Sequence, residues 1–151
     1  MELSKRKSNR LQEYDYSTPG AYFVTICTNG RKQILSDIVG DDAHIVPSKY
    51  GIIAEHYLCN VNEIEKYVIM PNHIHMIIRI DNGTMWASSP TKSISTIVRS
   101  FKTLVTKEIG KSIFQRSFYD HVIRDEKDYQ KIWEYIDTNP IKWADDCYYS
   151  E

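Results

Sequence analysis

Two histidines separated by one residue are the first side chains in this sequence whose types and spacing suggest chemistry. His73 and His75 lie in the run HIHMIIRI (73–80), whose apolar, β-branched content predicts a strand. Because strand side chains alternate between faces, both imidazoles point to one side, while Ile74 and Met76 point to the other, into a core. Two imidazoles on one face can present nitrogen atoms to a single metal ion. The spacing alone leaves a second interpretation open, in which two polar residues lie on a solvated strand face.

A tyrosine and an asparagine near the C-terminus form a second candidate pair. Tyr135 and Asn139 are four residues apart in a segment with helical periodicity, so their side chains are neighbours on one helix face. They lie beside the apolar stripe, where a helix meets a sheet. Alone, the pair favours a structural interpretation: a boundary tyrosine with a solvated hydroxyl, and an asparagine that ends the helix before Pro140.

The elements that position these residues follow from periodicity and turn chemistry. Strands are predicted at 22–28, 66–70, 73–80 and 117–124, helices at about 49–61, 93–109 and 128–138, and a loop with short extended pieces at 36–48. Two of the strands are joined by a tight turn at Pro71-Asn72. This β-α-β-β-α-β-α order predicts an α+β fold of the ferredoxin-like kind, in which helices pack on an antiparallel sheet.

Length and composition are those of one ordinary globular domain spanning residues 1–151. Apolar residues make up 42% and charged residues 26% of the chain. The three cysteines form no Cys-x-x-Cys pair, so neither a disulfide framework nor a thiolate zinc site is indicated. No window has the apolar length that spans a membrane, and the N-terminus lacks the apolar stretch of a signal peptide. We therefore expect a cytoplasmic protein without a membrane partner.

The charge distribution indicates where a polyanion could bind, although the net charge is only −1. Residues 1–16 form a basic N-terminal arm, and residues 92–124 contain seven basic and two acidic side chains. Basic residues clustered in this way can hold phosphates locally, whatever the total charge. The candidates for DNA contacts are Lys5, Arg6 and Arg10 in the arm and Arg99 and Lys102 on a predicted helix. Solvated charged faces are the other interpretation of the same pattern.

Three segments of the sequence resemble the single-tyrosine HUH transposases, relatives of the small insertion-sequence transposases and particularly the REP-associated tyrosine transposases. These segments are RKSNRLQEYDYSTPGAYFVTI (6–26), YVIMPNHIHMIIRI (67–80) and RSFYDHVIRDEKDYQKIWEYIDTNPIKW (116–143). The combination is specific: a His-hydrophobe-His strand after Met-Pro-Asn, then Tyr-x-x-x-Asn-Pro downstream. The resemblance covers nearly the whole chain.

The resemblance implies a fold of the HUH endonuclease type and a role for each residue of the two pairs. His73 and His75 match the histidines of the HUH motif, Tyr135 matches the nucleophile, and Asn139 matches the third metal ligand. The implied activity is cleavage and rejoining of single-stranded or hairpin DNA through a covalent 5′-phosphotyrosine intermediate, with Mg²⁺ or Mn²⁺ as cofactor. Spacing alone does not distinguish these ions from zinc. We expect a monomer rather than a dimer, with the site built within one chain.

Two other functions remain open at this stage. A non-catalytic module that binds single-stranded nucleic acid on a ferredoxin-like sheet explains the basic patches. A metal-dependent phosphodiesterase that uses water leaves Tyr135 without a role. His121, in the strand before the last helix, either supports the site or has a structural role, and the structural role is favoured.

Overall fold

A computed structural model describes residues 20–80 and 93–145 of the chain. The basic arm, with Lys5, Arg6 and Arg10, lies outside the described residues. Within the described part, no helix is both long and apolar enough to cross a membrane.

The described residues form six strands and three α-helices. In chain order these are β1 (Gly20–Cys27), β2 (Ser36–Val39), β3 (His44–Pro47), α1 (Lys49–Cys59), β4 (Ile64–Ile69), β5 (His73–Ile80), α2 (Ile94–Ile109), β6 (Tyr119–Ile123) and α3 (Glu126–Thr138). Short 3₁₀ turns follow β1 at Asn29–Arg31 and α3 at Trp143–Asp145. The predicted elements are present, and most of their boundaries shift by one to two residues.

Four strands form an antiparallel sheet in the order β4-β5-β1-β6. Without the β2–β3 hairpin, the chain follows the order β1-α1-β4-β5-α2-β6, which with this strand arrangement is the ferredoxin-like topology. The α+β prediction is confirmed: the antiparallel sheet carries helices on its faces. β5 lies at the centre between β4 and β1, so the His-x-His strand is supported on both sides.

The two faces of the sheet have different cores, as the alternation in β5 predicts. One face packs against α1 and α2 in a large apolar cluster that includes Tyr22, Ile74, Met76 and Phe101. The other face packs against α3 in a smaller cluster built around Met70, Ile77, Ile132 and Ile136. We call these the α1–α2 face and the α3 face.

Residues 36–48 form more regular structure than the sequence indicated. They make a separate two-stranded antiparallel hairpin, β2–β3, with Ile38 opposite Ile45. Both isoleucines pack against the core of the α3 face, and this burial stabilises a hairpin that would be marginal alone. Two short strands with few alternating positions give too little periodicity for a prediction.

Local capping fixes where the helices begin and end. Ser93 caps α2 by accepting a hydrogen bond from the backbone N–H of Thr96, and Gly110 ends that helix in the left-handed region at φ 91°. Asp125 caps α3 in the same way, so α3 begins at Glu126, two residues before the prediction. α3 runs through Thr138 and ends ahead of Pro140, as predicted.

Candidate functional site

The two histidines of β5 lie on the α3 face and are completely enclosed. His73 is 0% and His75 is 1% exposed, and their ring centroids are 4.4 Å apart. Ile77 continues the same row into the apolar core beneath α3. A solvated strand face, the alternative interpretation of the His-x-His spacing, is therefore wrong, because both faces of β5 are buried.

Asn72 sets the tautomer of His73. Its amide N–H donates to the carbonyl oxygen of Arg31 at 3.3 Å, which turns the amide oxygen toward Nδ1 of His73 at 2.8 Å. An amide oxygen can only accept, so Nδ1 of His73 carries the proton and donates it. The lone pair of the neutral ring is then on Nε2, which is fully buried on the α3 face.

Thr25 contacts the ring of His75 as Asn72 contacts that of His73. It lies opposite His75 in the β1–β5 register, and its Oγ1 is 2.7 Å from Nδ1 of the imidazole. Burial lowers the pKa of His75 well below its ordinary value, and the neighbouring His73 lowers the pKa further. The imidazole is therefore neutral at neutral pH, which is the form that offers a nitrogen lone pair to a metal.

Helix α3 brings the tyrosine and the asparagine to the histidines. The ring of Tyr135 is 5.3 Å from that of His75 and 6.0 Å, edge to face, from that of Phe23. Tyr135 is 38% exposed, so solvent reaches a ring that borders the buried imidazoles. One turn later, Asn139 is 2% exposed, and its Oδ1 is buried without a hydrogen bond to any described residue. Tyr135 thus lies against the His-x-His pair of β5 within one chain, and Asn139 follows one turn later at the end of α3.

The opposite side of α3 is tied to β4 and β5. Lys66 pairs with Asp137 at 2.6 Å, and its ammonium lies 4.1 Å above the ring of Trp133. Tyr129 donates its hydroxyl proton to Glu65 at 2.7 Å. These contacts fix the helix along its β4 side and leave Tyr135 on the side nearer β1.

Glu65 is the centre of one of these ties, since it also accepts hydrogen bonds from Arg79. Partial burial raises the pKa of Glu65, but the hydrogen bonds from Arg79 and Tyr129 outweigh it and leave the pKa below its ordinary value. The carboxylate is therefore ionised near neutral pH and keeps the hydroxyl of Tyr129 engaged. The hydroxyl of Tyr129 is thus held at Glu65, beside β4.

The residues present fit a divalent metal only if the asparagine takes part. No group of three or more His, Cys, Asp or Glu side chains within 20–80 and 93–145 could hold a metal ion. Two imidazole nitrogens and one amide oxygen make a mixed donor set of the kind that first-row divalent ions accept. The buried Oδ1 of Asn139, which has no hydrogen bond from a described residue, is the observation that favours this fit.

The remaining candidate residues lie away from this cluster. Arg99 and Lys102 are on α2, on the other face of the sheet. Lys102 donates from Nζ to the backbone carbonyls of Gln115 at 2.8 Å and Ser117 at 3.1 Å, so it stabilises the segment before β6. Arg99 is exposed and lines a groove with other basic side chains, including Lys107 and Arg116.

His121 is also outside the cluster. It is on β6, and its Nε2 is 2.8 Å from Oδ2 of Asp128 in the first turn of α3. Its hydrogen bond lowers the pKa of Asp128. This contact joins the edge strand to the start of the catalytic candidate helix, in keeping with the favoured structural role.

Asn72 and Thr25 are the site residues that the sequence did not reveal. Asn72 immediately precedes His73, so the sequence places it in the Pro71-Asn72 turn and next to a candidate ligand. Thr25 lies 50 positions before its partner His75, and only the strand register brings the two together. Adjacency was a usable signal for Asn72, whereas no sequence signal was available for Thr25.

Comparison with known proteins identifies the family of this chain. A family model described as "Transposase IS200 like" matches residues 18–139. An uncharacterized protein of Haemophilus influenzae is 32% identical, and the alignment covers 97% of this chain and 94% of that protein. A REP-associated tyrosine transposase of Escherichia coli is 29% identical, covering 84% of this chain and 70% of its own length.

A solved structure of a REP-associated tyrosine transposase is also similar to this chain. The structure of a REP-associated tyrosine transposase bound to a REP hairpin superimposes with a TM-score of 0.64 at 27% identity, covering 94% of this chain and 74% of that one. Since the family model spans most of the sequence, the chain belongs to the IS200-like transposase family, alongside the REP-associated tyrosine transposases.

Proposed function

We propose that this chain cleaves and rejoins single-stranded DNA, with Tyr135 as the nucleophile that carries the cleaved strand. The observation that supports this most is the position of the Tyr135 ring, 5.3 Å from that of His75 and one helical turn from Asn139. A solvent-accessible phenol bordering buried imidazoles suits attack on a bound phosphate better than it suits a boundary tyrosine that only packs.

His73, His75 and Asn139 are the residues that would hold Mg²⁺ or Mn²⁺. When bound there, the ion neutralises charge on the phosphate and orients the phosphorus for in-line attack. The protein's own contribution is preorganisation. Asn72 fixes which nitrogen of His73 faces the site, and Thr25 holds the ring of His75.

The reaction balances without a further substrate. The phenolic oxygen of Tyr135 bonds to phosphorus and its proton passes to solvent, while the bond from phosphorus to the 3′ oxygen breaks and that oxygen leaves as a hydroxyl. The product is a 5′-phosphotyrosine and a free 3′ end. Attack by a 3′ hydroxyl on the phosphotyrosine restores the DNA strand and the phenol, so the energy of the phosphodiester bond is conserved.

The substrate that we propose is single-stranded DNA beside a hairpin, bound by one protein chain. The relative solved with a REP hairpin supports a structured DNA partner. A monomer is favoured because the histidines and the tyrosine lie together within one chain. Lys5, Arg6 and Arg10 in the arm and Arg99 on α2 are proposed phosphate contacts. A phosphate contact by Lys102 remains a prediction, and the hydrogen bonds of its ammonium to backbone carbonyls compete with such a contact.

A denaturing gel with end-labelled DNA hairpins carrying single-stranded flanks, in the presence of Mn²⁺, tests the proposal. The 3′-labelled fragment should migrate with the denatured protein, and the 5′-labelled fragment should be free and extendable by a terminal transferase. Cleavage without an attached fragment would instead identify a phosphodiesterase that uses water. Binding without cleavage would identify a nucleic-acid-binding module.

A further inference from the structure

A second exposed tyrosine lies on the α3 face, and the proposed reaction does not use it. Tyr119 is 43% and Tyr135 is 38% exposed, whereas the other tyrosines of the described ranges are buried or half-buried. Tyr119 begins β6, the edge strand of the sheet beside β1. Among the described residues, no hydrogen bond or ring contact holds its side chain, so stability gives no reason for an aromatic ring at this position.

The strand register places Tyr119 in the same row as the proposed metal ligands. Tyr119 is opposite Thr25 on β1, and Thr25 is opposite His75 on β5. Residues paired in this way across a sheet point to the same face, which the contact of His121 with Asp128 of α3 confirms for β6. Tyr119 is therefore two strand spacings, roughly 10 Å, from His75 on the same surface.

The part of the α3 face between Tyr119 and Tyr135 is an aromatic strip. The ring of Phe23 stacks on that of His75 at 5.1 Å between centroids and meets that of Tyr135 edge to face. On this side of α3 the rings of Tyr119 and Tyr135 are exposed and that of Phe23 is half-buried. We define the aromatic strip as Tyr119, Phe23 and Tyr135.

Such a strip has the chemistry that single-stranded nucleic acid requires. Every base has a π-face, and exposed aromatic side chains bind successive bases by stacking, with little dependence on sequence. A phosphate placed for attack by Tyr135 has its flanking nucleotides near the same surface, where the ring of Tyr119 on β6 is exposed. Resting on the proposed function, we propose that Tyr119 is a stacking platform for a nucleobase that flanks the phosphate attacked by Tyr135.

Binding measurements that separate base from backbone test this assignment. All variants carry Tyr135→Phe so that cleavage does not interfere, and the probes are a fluorescein-labelled oligothymidylate strand and a strand of equal length composed of abasic sites. Tyr119→Ala should weaken oligothymidylate binding about five- to a hundredfold. It should leave binding of the abasic strand unchanged, because that strand has phosphates but no π-faces.

Three further variants keep the test interpretable. Tyr119→Phe retains the ring and should bind oligothymidylate within about twofold of the parent, whereas Tyr119→Leu retains apolar bulk without the ring and should bind as weakly as Tyr119→Ala. Leu104→Ala is the matched control, since Leu104 is 44% exposed on α2, on the other face. Leu104→Ala should change the affinity for neither the oligothymidylate strand nor the abasic strand.

The binding test of Tyr119 can fail, and its outcome does not depend on whether the protein cleaves DNA. Unchanged oligothymidylate affinity in Tyr119→Ala, or an equal loss on the abasic strand, would overturn the stacking assignment. If the unmutated protein binds bases through Tyr119 but forms no covalent adduct, the proposed cleavage fails and the stacking surface stands. If the adduct forms and Tyr119→Ala has no effect on base binding, the cleavage stands and the stacking inference fails.

Discussion

The two faces of the sheet are built from the same strands but serve different ends. The α1–α2 face is filled by apolar side chains such as Tyr22, Met76 and Phe101. On the α3 face, residues of the same strands put buried polar groups, His73 and His75, where apolar side chains would give more stability. The first face therefore stabilises the fold, whereas the second face loses hydrophobic stabilisation in order to hold polar atoms in place.

The largest effect expected on the α3 face comes from a single oxygen atom. Tyr135→Phe should abolish the covalent adduct and strand cleavage, because it removes the phenolic oxygen that we propose becomes the link. Folding and DNA binding should be unchanged, since the phenyl ring is kept and the site is partly exposed. Gel detection of the adduct, together with urea denaturation, checks both parts.

A Tyr135→Phe protein that still formed an adduct would contradict the nucleophile assignment. Mass analysis of the linked peptide would then identify the tyrosine involved. Tyr119 is the tyrosine to examine first, as it shares the exposed surface, whereas the hydroxyl of Tyr129 is bonded to Glu65.

On the α1–α2 face, truncating a core side chain should lower stability and leave cleavage per folded molecule unchanged. Phe101 is 2% exposed within the large cluster, and Phe101→Ala should lower the free energy of unfolding by about 3–5 kcal/mol. Phe101→Leu should lower it by less and keep enough folded protein for assay. The measurements are the urea midpoint and the cleavage rate per folded molecule. A Phe101 variant that kept its stability but lost cleavage would contradict the separate roles of the two faces.

The partner of His73 offers a smaller effect that only the α3 face should show. Asn72→Ala removes the acceptor that fixes the imidazole tautomer, so the affinity for Mn²⁺ should fall by roughly 10–100-fold. Calorimetric titration with Mn²⁺ measures this directly, and high metal concentration should restore cleavage. Asn60→Ala, at the end of α1 where the amide donates to the backbone carbonyl of His56, is a matched control that should leave metal affinity unchanged.

The smallest effect concerns the groove on the α1–α2 side. Replacing the exposed Arg99 and Arg116 by Ala should reduce the slope of log affinity against log salt by about 1.4, because each phosphate contact to a single strand contributes about 0.7. Lys102→Ala should instead lower stability, since its ammonium holds backbone carbonyls. Anisotropy titrations at several salt concentrations decide the matter, and an unchanged slope would make this groove a solvated surface only.

The sequence was informative wherever a pattern repeats along one element. Alternation in 73–80 assigned both histidines to one face, and the i, i+4 spacing paired Tyr135 with Asn139. It was uninformative wherever two distant segments meet. The contact of Thr25 with His75 depends on strand register, and the carbonyls bound by Lys102 belong to a segment more than ten residues later. Periodicity describes one element at a time, so such partners become visible only in three dimensions.

The attachment of α3 has a topological consequence for a protein that acts as we propose. The helix is fastened to β4 through Lys66 and Glu65 and to β6 at its first turn through Asp128, while Tyr135, farther along the helix, is 38% exposed. A strand can therefore be laid into the site sideways and does not have to be threaded through it by an end. Internal stretches of a closed circular DNA, once unpaired, would be as accessible to Tyr135 as the ends of a linear fragment.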